Sequence, residues 1–260
     1  MTSDVVTTER VGPALVARIE REPAGNAISR EVVAGLAASV REAEAAQGLA
    51  AFVITGRGEK FFAAGGDLKQ YREIGTRDEL AAAFAGPRAL MDAIEALPVP
   101  VIAAINGYAL GGGAELALAA DLRIASDNAR IGFPYVKLGL ISGWDGMERL
   151  ARCCGYGHAM HLLLTGEPID AVRAERIGLV SEVVSGDVLD AALAHAERFS
   201  GYAPLALRAT KRMLRHTFAG SAASAREEAR AWFADLWVSE DHREAETAFV
   251  EKRRPSFRGR

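Results

Sequence analysis

Short apolar runs alternate with amphipathic stretches along the first two thirds of the chain. Between residues 5 and 20, β-branched side chains flank the segment RVGP at residues 10–13, which predicts a β-hairpin. Ser29 then precedes apolar positions at helical spacing, which predicts a capped helix that reaches about Gln47. The chain is therefore expected to open with a hairpin followed by a helix.

Strands and helices continue to alternate in the middle of the chain. The run 51–55 is largely apolar and ends at Gly56, which predicts a buried strand. Residues 99–105 predict another, with Pro98 and Pro100 confined to its start, and residues 78–97 have a helical pattern. This alternation is typical of an α/β fold with parallel strand pairing.

The pattern changes after about residue 180 and becomes helical throughout. We expect an α/β core over residues 1–199 and a helical region over 200–260. Gly, Ser or Pro separates four predicted helices: 187–200, 204–218, 221–238 and 240–252. Aromatic side chains are dense there, so either another subunit or the body of the same chain is expected to cover them. These aromatic residues are Trp232, Phe233, Trp237 and Phe249.

Composition and charge narrow the class of protein. The chain has 260 residues, of which 50% are hydrophobic and 25% charged, with a net charge of −3, so it is expected to be globular and not to bind nucleic acid. The adjacent Cys153 and Cys154 cannot build a disulfide framework, which fits a reducing compartment. No stretch has the pattern of a signal peptide or membrane span, so we expect a cytoplasmic protein without a membrane partner.

Two glycine-rich segments follow buried strands at strand-to-helix junctions. They are FFAAGGDL at residues 61–68 and NGYALGGGAEL at residues 106–116. Small residues at such junctions expose backbone N–H groups that can receive negative charge, although tight turns and close packing also require glycine. If the two strands are neighbours, each junction could donate one N–H to a single oxygen, as in an oxyanion hole. Dinucleotide-binding, nucleophile-elbow and Walker motifs are absent from the sequence.

Four segments together resemble the crotonase family, the enoyl-CoA hydratase/isomerase superfamily. They are FFAAGGDLK, PVIAAINGYALGGGAELALAADLRIAS, LLLTGEPIDAVRAERIGLVSEVV and AFVEKRRPSF, and they extend over nearly the whole chain. The resemblance implies an α/β fold: a spiral of repeated ββα units with a C-terminal helical trimerisation region. It also implies an acyl-CoA substrate, a homotrimer or dimer of trimers, and no metal or redox cofactor, with coenzyme A present as part of the substrate.

The resemblance implies site residues by motif position. The amides of Gly66 and Gly112 would hold the thioester oxygen as an enolate forms, and Glu115 would transfer protons with assistance from Tyr135. Capping its own helix is the alternative role for Glu115. The residues expected to bind substrate are Ala24, Gly25, Ala64, Asp67, Leu68, Lys69, Trp144, Phe249 and Lys252. Among them, Asp67 is also expected to cap the helix after it, and Trp144 is expected to line the acyl pocket.

Tyr135 is the main departure from the family pattern, because the second hydratase glutamate would follow Pro134. A phenol has an ordinary pKa of about 10, so it is neutral at pH 7 and donates hydrogen bonds but is a poor base. The same loss weakens a simple isomerase hypothesis. Hydration of a 2-enoyl-CoA is our first hypothesis and double-bond isomerisation the second. Decarboxylation, retro-aldol cleavage and a catalytically silent acyl-CoA-binding protein are the alternatives.

Asp145 is the nearest further acid in the loop after Tyr135. Some relatives place an aspartate at the position that Gly143 occupies here, and Asp145 could reach the pocket if the loop is remodelled. Together with Glu148, three residues later, it also matches a capping box at the start of a helix over 146–153. We favour the cap.

Overall fold

The computed structural model describes residues 5–72, 74–219 and 222–260. Its strands are β1 Val6–Val11, β2 Ala14–Ile19, β3 Ala51–Gly56, β4 Phe61–Ala63, β5 Val101–Ile105, β6 Tyr108–Leu110, β7 Leu122–Ser126, β8 Arg130–Gly132, β9 Ile169–Asp170 and β10 Glu182–Val184. Its α-helices are α1 Arg30–Ala45, α2 Leu68–Tyr71, α3 Arg77–Ala96, α4 Gly112–Ala119, α5 Gly146–Thr165, α6 Ala171–Arg176, α7 Val188–Ser200, α8 Pro204–Ala219, α9 Ala222–Trp237 and α10 Glu240–Glu251.

The strands form two sheets, and from β3 to β8 the chain alternates between them. The larger sheet has the order β1-β2-β3-β5-β7-β10, and the smaller has the order β4-β6-β8-β9. Pairing from β2 to β10 is parallel, as is pairing along β4-β6-β8. Strands β3, β5 and β7 are each followed by a strand of the smaller sheet and then by a helix, so the ββα unit repeats. The segments that follow β4 and β6 therefore leave the smaller sheet side by side.

The predicted N-terminal elements are present, with small differences at their ends. Strands β1 and β2 pair antiparallel as a hairpin. Helix α1 starts after Ser29, whose hydroxyl accepts a hydrogen bond from the amide of Val32 at 3.3 Å. It ends at Ala45 rather than at Gln47, because the guanidinium of Arg10 binds the carbonyl of Gln47 outside the helix. Strand β5 begins at residue 101, after both prolines.

The core lies on both faces of the larger sheet. Every residue of β3 and β5 is buried, as expected for parallel strands covered on both sides. On one face, Phe52 and Ile54 pack with Leu36 of α1 and Met91 of α3. On the other face, α7 covers a smaller cluster. Burial of each large apolar side chain contributes about 1.5–3 kcal/mol, so this sheet is a rigid platform for the segments at its edge.

The C-terminal region is helical, as predicted, and Ser221 of the third predicted helix lies outside the described residues. Helix α8 is attached to the core by Lys211, whose ammonium pairs with Asp121 at 2.7 Å. Helix α9 packs against α8, and α10 packs against α9. In the single chain Trp237 is 57% exposed and Phe249 is 85% exposed. Their coverage by another subunit and the division at residue 200 stay predictions.

Candidate active site

The two glycine segments lie against each other beyond the paired strands β4 and β6. Gly65 has a φ of +119°, and a Cβ on it would lie 3.1 Å from the carbonyl oxygen of Leu110 and 3.8 Å from the amide nitrogen of Gly112. Glycine is therefore required here both by the backbone conformation and by the close approach of the other segment. We call Gly65, Gly66, Gly111 and Gly112 the glycine cradle.

Two amides of the glycine cradle lack a partner within the fold that the structure describes. Within the described part of the chain, the N–H groups of Gly66 and Gly112 have no hydrogen-bond acceptor. The neighbouring amide of Gly111, by contrast, donates to the carbonyl of Gly132 at 2.9 Å. Gly112 is the first residue of α4, where helix geometry leaves N–H groups without an intrahelical partner. Both segments thus present an unpaired donor, as the sequence predicted.

The indole of Trp144 packs against both of these glycines. A Cβ on Gly112 would lie 2.3 Å from Cζ3 of the ring, and a Cβ on Gly66 would lie 3.4 Å from Cζ2. Trp144 is only 3% exposed. Position 112 therefore has no room for a side chain while the ring is in place, and one aromatic ring spans the two segments.

Glu115 lies in the first turn of α4 and is 1% exposed. Its Oε1 accepts a hydrogen bond from the hydroxyl of Tyr135. Its Oε2 accepts from three donors of the loop before α5: Ser142 Oγ at 2.7 Å, the Trp144 amide at 3.1 Å and the Gly146 amide at 2.8 Å. Both oxygens of the buried carboxylate are thus hydrogen-bonded, as buried polar groups usually are. These bonds run to other segments, so the alternative role as a cap of α4 is wrong.

Tyr135 belongs to a short 3₁₀ helix, Pro134–Leu138, and faces the cradle. Burial raises the pKa of its phenol, and the adjacent charge of Glu115 and their hydrogen bond raise that pKa further. The phenol therefore stays protonated beyond its ordinary value near 10. The structure confirms that this position supplies a hydrogen-bond donor beside a carboxylate, in place of a second carboxylate.

The capping box predicted for Asp145 and Glu148 is wrong. Asp145 precedes α5 with a left-handed φ of +63°, and its side chain makes no capping hydrogen bond. Its carboxylate instead lies 3.8 Å from Nε of Arg88 and is 65% exposed. The first amide of α5, that of Gly146, donates to Ser142 Oγ at 2.9 Å as well as to Glu115. The helix is therefore capped by residues that precede Asp145, because the left-handed turn leaves the aspartate pointing elsewhere.

The turn with Ala24 and Gly25, which are expected to bind substrate, lies beside the cradle. The amide of Ala64 donates to the carbonyl of Gly25 at 2.9 Å, and the amide of Ile28 donates to the carbonyl of Gly65 at 2.8 Å. A Cβ on Gly25 would lie 3.1 Å from that of Ala64. The structure thus brings Ala24 and Gly25 next to Ala64, although the sequence places them far apart.

Asn26 holds this turn in place, a role that the sequence analysis did not assign to it. Its Oδ1 accepts from the Arg21 amide at 3.0 Å, and its Nδ2 donates to the carbonyl of Phe61 at 2.7 Å. Asn26 is fully buried and has a φ of +52°. The sequence feature that could have indicated this role is the asparagine directly after Gly25, since asparagine tolerates a left-handed backbone in tight turns.

Asp67, Leu68 and Lys69 continue from the cradle into α2. Asp67 accepts a hydrogen bond from the amide of Lys69 at 3.2 Å, which confirms the predicted cap. It also pairs with Arg21 at 3.0 Å. Leu68 is 66% exposed, and Lys69 is exposed as well. These two side chains therefore remain accessible at the mouth of the site, while Asp67 is engaged within the fold.

Phe249 and Lys252 do not reach the cradle within this chain. Among the described residues, neither forms a hydrogen bond, ion pair or ring contact with the glycine segments. Lys252 ends α10 with a φ of +54°. The adjacent Arg253 pairs with Glu244 and Glu251. The family resemblance implies that Phe249 and Lys252 contact the substrate of a neighbouring subunit, and this stays a prediction.

Two further aromatic rings support Trp144 and were also missed. Phe84 of α3 meets the indole edge-on, with ring centroids 6.4 Å apart, and Tyr71 of α2 lies 5.2 Å from Phe84. A Cβ on Gly66 would lie 2.7 Å from Cε2 of Tyr71. Helical spacing in the sequence places such residues on the apolar face of a helix. It does not show that they contact a glycine turn from another ββα unit.

Comparison with known proteins agrees with this architecture. A family model described as enoyl-CoA hydratase/isomerase matches residues 13–260. The chain belongs to the enoyl-CoA hydratase/isomerase family. A 2,3-dehydroadipyl-CoA hydratase of Escherichia coli is 38% identical over 248 residues, which are 95% of each chain. A short-chain-enoyl-CoA hydratase of Clostridium acetobutylicum is 36% identical over 250 residues, 96% of this chain and 95% of that protein.

A solved structure of the same family has the same fold. The crystal structure of an enoyl-CoA hydratase from Bacillus anthracis superposes with a TM-score of 0.94 at 32% identity, covering 98% of this chain and 100% of that one. The crotonase resemblance and fold are thereby confirmed, and the chain is an enzyme of the enoyl-CoA hydratase/isomerase family. Over residues 5–72, 74–219 and 222–260, no helix is long and apolar enough to cross a membrane.

Proposed function

We propose that this enzyme hydrates a 2-enoyl-CoA thioester, with Gly66 and Gly112 holding the thioester oxygen and Glu115 moving the proton. The observation that carries the proposal is the position of Glu115, buried in the first turn of the helix that begins with the unpaired amide of Gly112. Relatives named as enoyl-CoA hydratases, at 36–38% identity over nearly the whole chain, support this choice within the family.

The proposed reaction needs one base and two oxyanion donors. A water oxygen bonds to the β-carbon of the enoyl group while Glu115 takes one of the water protons. The double-bond electrons move through the α-carbon to the thioester oxygen, where the amides of Gly66 and Gly112 stabilise the enolate. The α-carbon then takes the proton back from Glu115, which completes the addition of water. Each oxyanion donor of this kind is typically worth about 2.7–4 kcal/mol in the transition state.

The hydrogen bonds of Glu115 indicate which of its oxygens does this work. Oε2 accepts from three donors of the loop before α5, whereas Oε1 accepts from Tyr135 alone within the described part of the chain. A carboxylate oxygen has about two acceptor sites, so Oε1 keeps one for water. Tyr135, which stays protonated, orients that oxygen and does not compete for the proton.

The test follows crotonyl-CoA by the loss of its conjugated-thioester absorbance. Wild-type protein is expected to hydrate it, and Glu115→Gln is expected to lose at least about a hundredfold in kcat, as general base catalysis contributes 10²–10⁴-fold. Glu115→Gln keeps an oxygen for the loop donors, so it tests chemistry more than folding. Glu197→Gln, an exposed change on α7, is the matched control. Hydration by Glu115→Gln at the wild-type rate would refute the proposal.

Double-bond isomerisation is the second candidate function. It needs only one base to move a proton between the γ- and α-carbons of an acyl-CoA, and Glu115 can supply it, whereas Asp67, next to Gly66, is paired with Arg21. Asp145, the other acid considered, faces Arg88 instead. Incubation with a 3-enoyl-CoA distinguishes the two, since an isomerase gains conjugated absorbance whereas a pure hydratase leaves this substrate unchanged. Binding of coenzyme A thioesters without any turnover would identify a silent binding protein.

The assembly, cofactor and cellular location are further parts of the proposal. A homotrimer or dimer of trimers is supported by the exposed aromatic side chains of α9 and α10, such as Trp237 and Phe249. Light scattering of the purified protein measures its mass directly. The proposed chemistry uses amides, a carboxylate and a phenol, so dialysis against a chelator is expected to leave turnover unchanged. A cytoplasmic location is proposed because the thiols of Cys153 and Cys154 are free, which fits a reducing compartment.

A further inference from the structure

Three aromatic rings close one side of the proposed acyl site. Trp144 spans the cradle glycines, Phe84 meets it edge-on at 6.4 Å, and Tyr71 lies 5.2 Å from Phe84. We call these three residues the aromatic wall. Phe84 is also packed against the loop, because a Cβ on Gly143 would lie 2.5 Å from its Cε2. The wall is thus continuous from the cradle to α3.

The backbone of Trp144 is held from both sides. Its amide donates to Oε2 of Glu115 at 3.1 Å, and its carbonyl accepts from Nη1 of Arg149 at 3.1 Å. Arg149 is itself fixed by ion pairs with Asp92 at 2.8 Å and Glu95 at 3.0 Å. With the backbone fixed and the ring 3% exposed between glycines and Phe84, the indole cannot swing aside without breaking these contacts.

We propose that Trp144 is the specificity-determining residue of this enzyme and restricts it to short-chain 2-enoyl-CoA thioesters. This inference rests on the proposed function, because it assumes that the thioester oxygen lies at the amides of Gly66 and Gly112. An oxygen bound there lies about 3 Å from both nitrogens. The six-membered ring of Trp144 lies against the same two glycines, since a Cβ on Gly112 would be 2.3 Å and a Cβ on Gly66 would be 3.4 Å from it. The acyl carbons therefore begin within one ring width of the wall, and a long chain has to displace the indole.

The magnitude of the effect follows from the packing. A methylene that a closed apolar pocket cannot accept changes kcat/KM by roughly 10- to 200-fold. A group of several methylenes that meets a fixed indole is therefore expected to be discriminated strongly, whereas the flat four-carbon crotonyl group lies along the ring. The substrate class is therefore defined by the length of its acyl chain.

The experiment measures kcat/KM for crotonyl-, 2-hexenoyl-, 2-octenoyl- and 2-decenoyl-CoA. The variants are Trp144→Phe and Trp144→Ala, and Tyr156→Phe and Tyr156→Ala on α5 are controls at an aromatic side chain that is 76% exposed. Wild-type kcat/KM is expected to fall by more than about a hundredfold from crotonyl- to decenoyl-CoA. Trp144→Phe should reduce this ratio and Trp144→Ala should bring it below about tenfold. Both Tyr156 variants should keep the wild-type ratio.

The outcome separates this inference from the proposed function. If wild-type protein turns over decenoyl-CoA as well as crotonyl-CoA, or if Trp144→Ala lowers all four values by one factor, Trp144 does not set chain length. If no thioester is turned over, the proposed function fails. The wall is then tested by calorimetric binding of saturated butyryl- and decanoyl-CoA, where Trp144→Ala must strengthen the decanoyl thioester relative to the butyryl one. Equal binding ratios in wild type and variant would overturn the inference.

Discussion

The hydroxyl of Tyr135 donates a hydrogen bond to Oε1 of Glu115, so a neutral phenol stands beside a buried carboxylate at the end of the glycine cradle. Burial and the neighbouring negative charge both raise the pKa of Tyr135. A group with a raised acidic pKa keeps its proton longer as the pH increases. In the proposed reaction, Tyr135 therefore acts through the carboxylate that it orients.

Tyr135→Phe is expected to lower kcat for crotonyl-CoA by roughly 10- to 100-fold. The change removes one hydrogen bond to a charged group, which is worth about 1.5–3 kcal/mol, and leaves Oε1 of Glu115 without an orienting partner. KM should change much less, because the phenol is not expected to bind coenzyme A. Tyr156→Phe, at a side chain that is 76% exposed, is the control. Unchanged turnover in Tyr135→Phe would show that the phenol has no part in catalysis.

Gly112→Ala is expected to destabilise the protein by about 1–3 kcal/mol, the usual cost of overpacking. The new Cβ would lie 2.3 Å from the indole of Trp144. Gly157→Ala is the matched control, because a Cβ there meets nothing within 4 Å and the residue lies in α5. Urea unfolding measures both. In a Trp144→Ala background the cost of Gly112→Ala should largely disappear, and a cost that persists there would contradict the proposed clash.

Ser142, rather than Asp145, is expected to stabilise the start of α5. Ser142→Ala should cost about 1 kcal/mol, because its hydroxyl caps α5 through the amide of Gly146 and also donates to Glu115. Asp145→Gly should change the free energy of unfolding by less than about 0.5 kcal/mol, since the aspartate makes no cap and its φ is +63°. The reverse order in urea unfolding would restore Asp145 as the cap.

Glu95 is expected to make stability depend on pH in the acid range. Burial would raise its pKa, but the hydrogen bond and charge of Arg149, with the charges of Arg152 and Arg215, hold the pKa below its ordinary value. A carboxylate with a lowered folded-state pKa stabilises the protein above its unfolded value of about 4.3, and this stability is lost as the pH falls through the folded-state value.

Glu95→Gln should therefore cost about 1–3 kcal/mol at pH 7, as for a hydrogen bond to a charged group, and lose less stability than wild type between pH 5 and pH 3. Urea unfolding over this range is the measurement, and the exposed Glu42→Gln is the control. Parallel stability curves for wild type and Glu95→Gln would show that the carboxylate does not titrate as described. Glu95 is also connected to the candidate active site, because it pairs with Arg149, which donates a hydrogen bond to the carbonyl of Trp144.

Local sequence patterns were sufficient to predict the secondary-structure elements and the two glycine-rich segments. The β-branched residues on either side of RVGP predict the hairpin, and the apolar runs predict β3 and β5, because strands covered on both faces are apolar throughout. Glycines at two strand-to-helix junctions predicted unpaired amides, and the family resemblance implied that they belong to Gly66 and Gly112. The family followed from the same motifs. None of these inferences depends on which distant residues meet.

The partners of the polar groups required the tertiary structure. Glu115 binds a loop nearly thirty residues later in the chain, so the helix cap that local spacing assigns to Asp145 is supplied by Ser142 and Glu115 instead. In the same way, Trp144 meets Gly66 and Gly112 because the parallel strands β4 and β6 deliver both glycine turns to one place. Sequence spacing describes neighbours along one element, whereas hydrogen bonds and ring contacts depend on how separate ββα units stack.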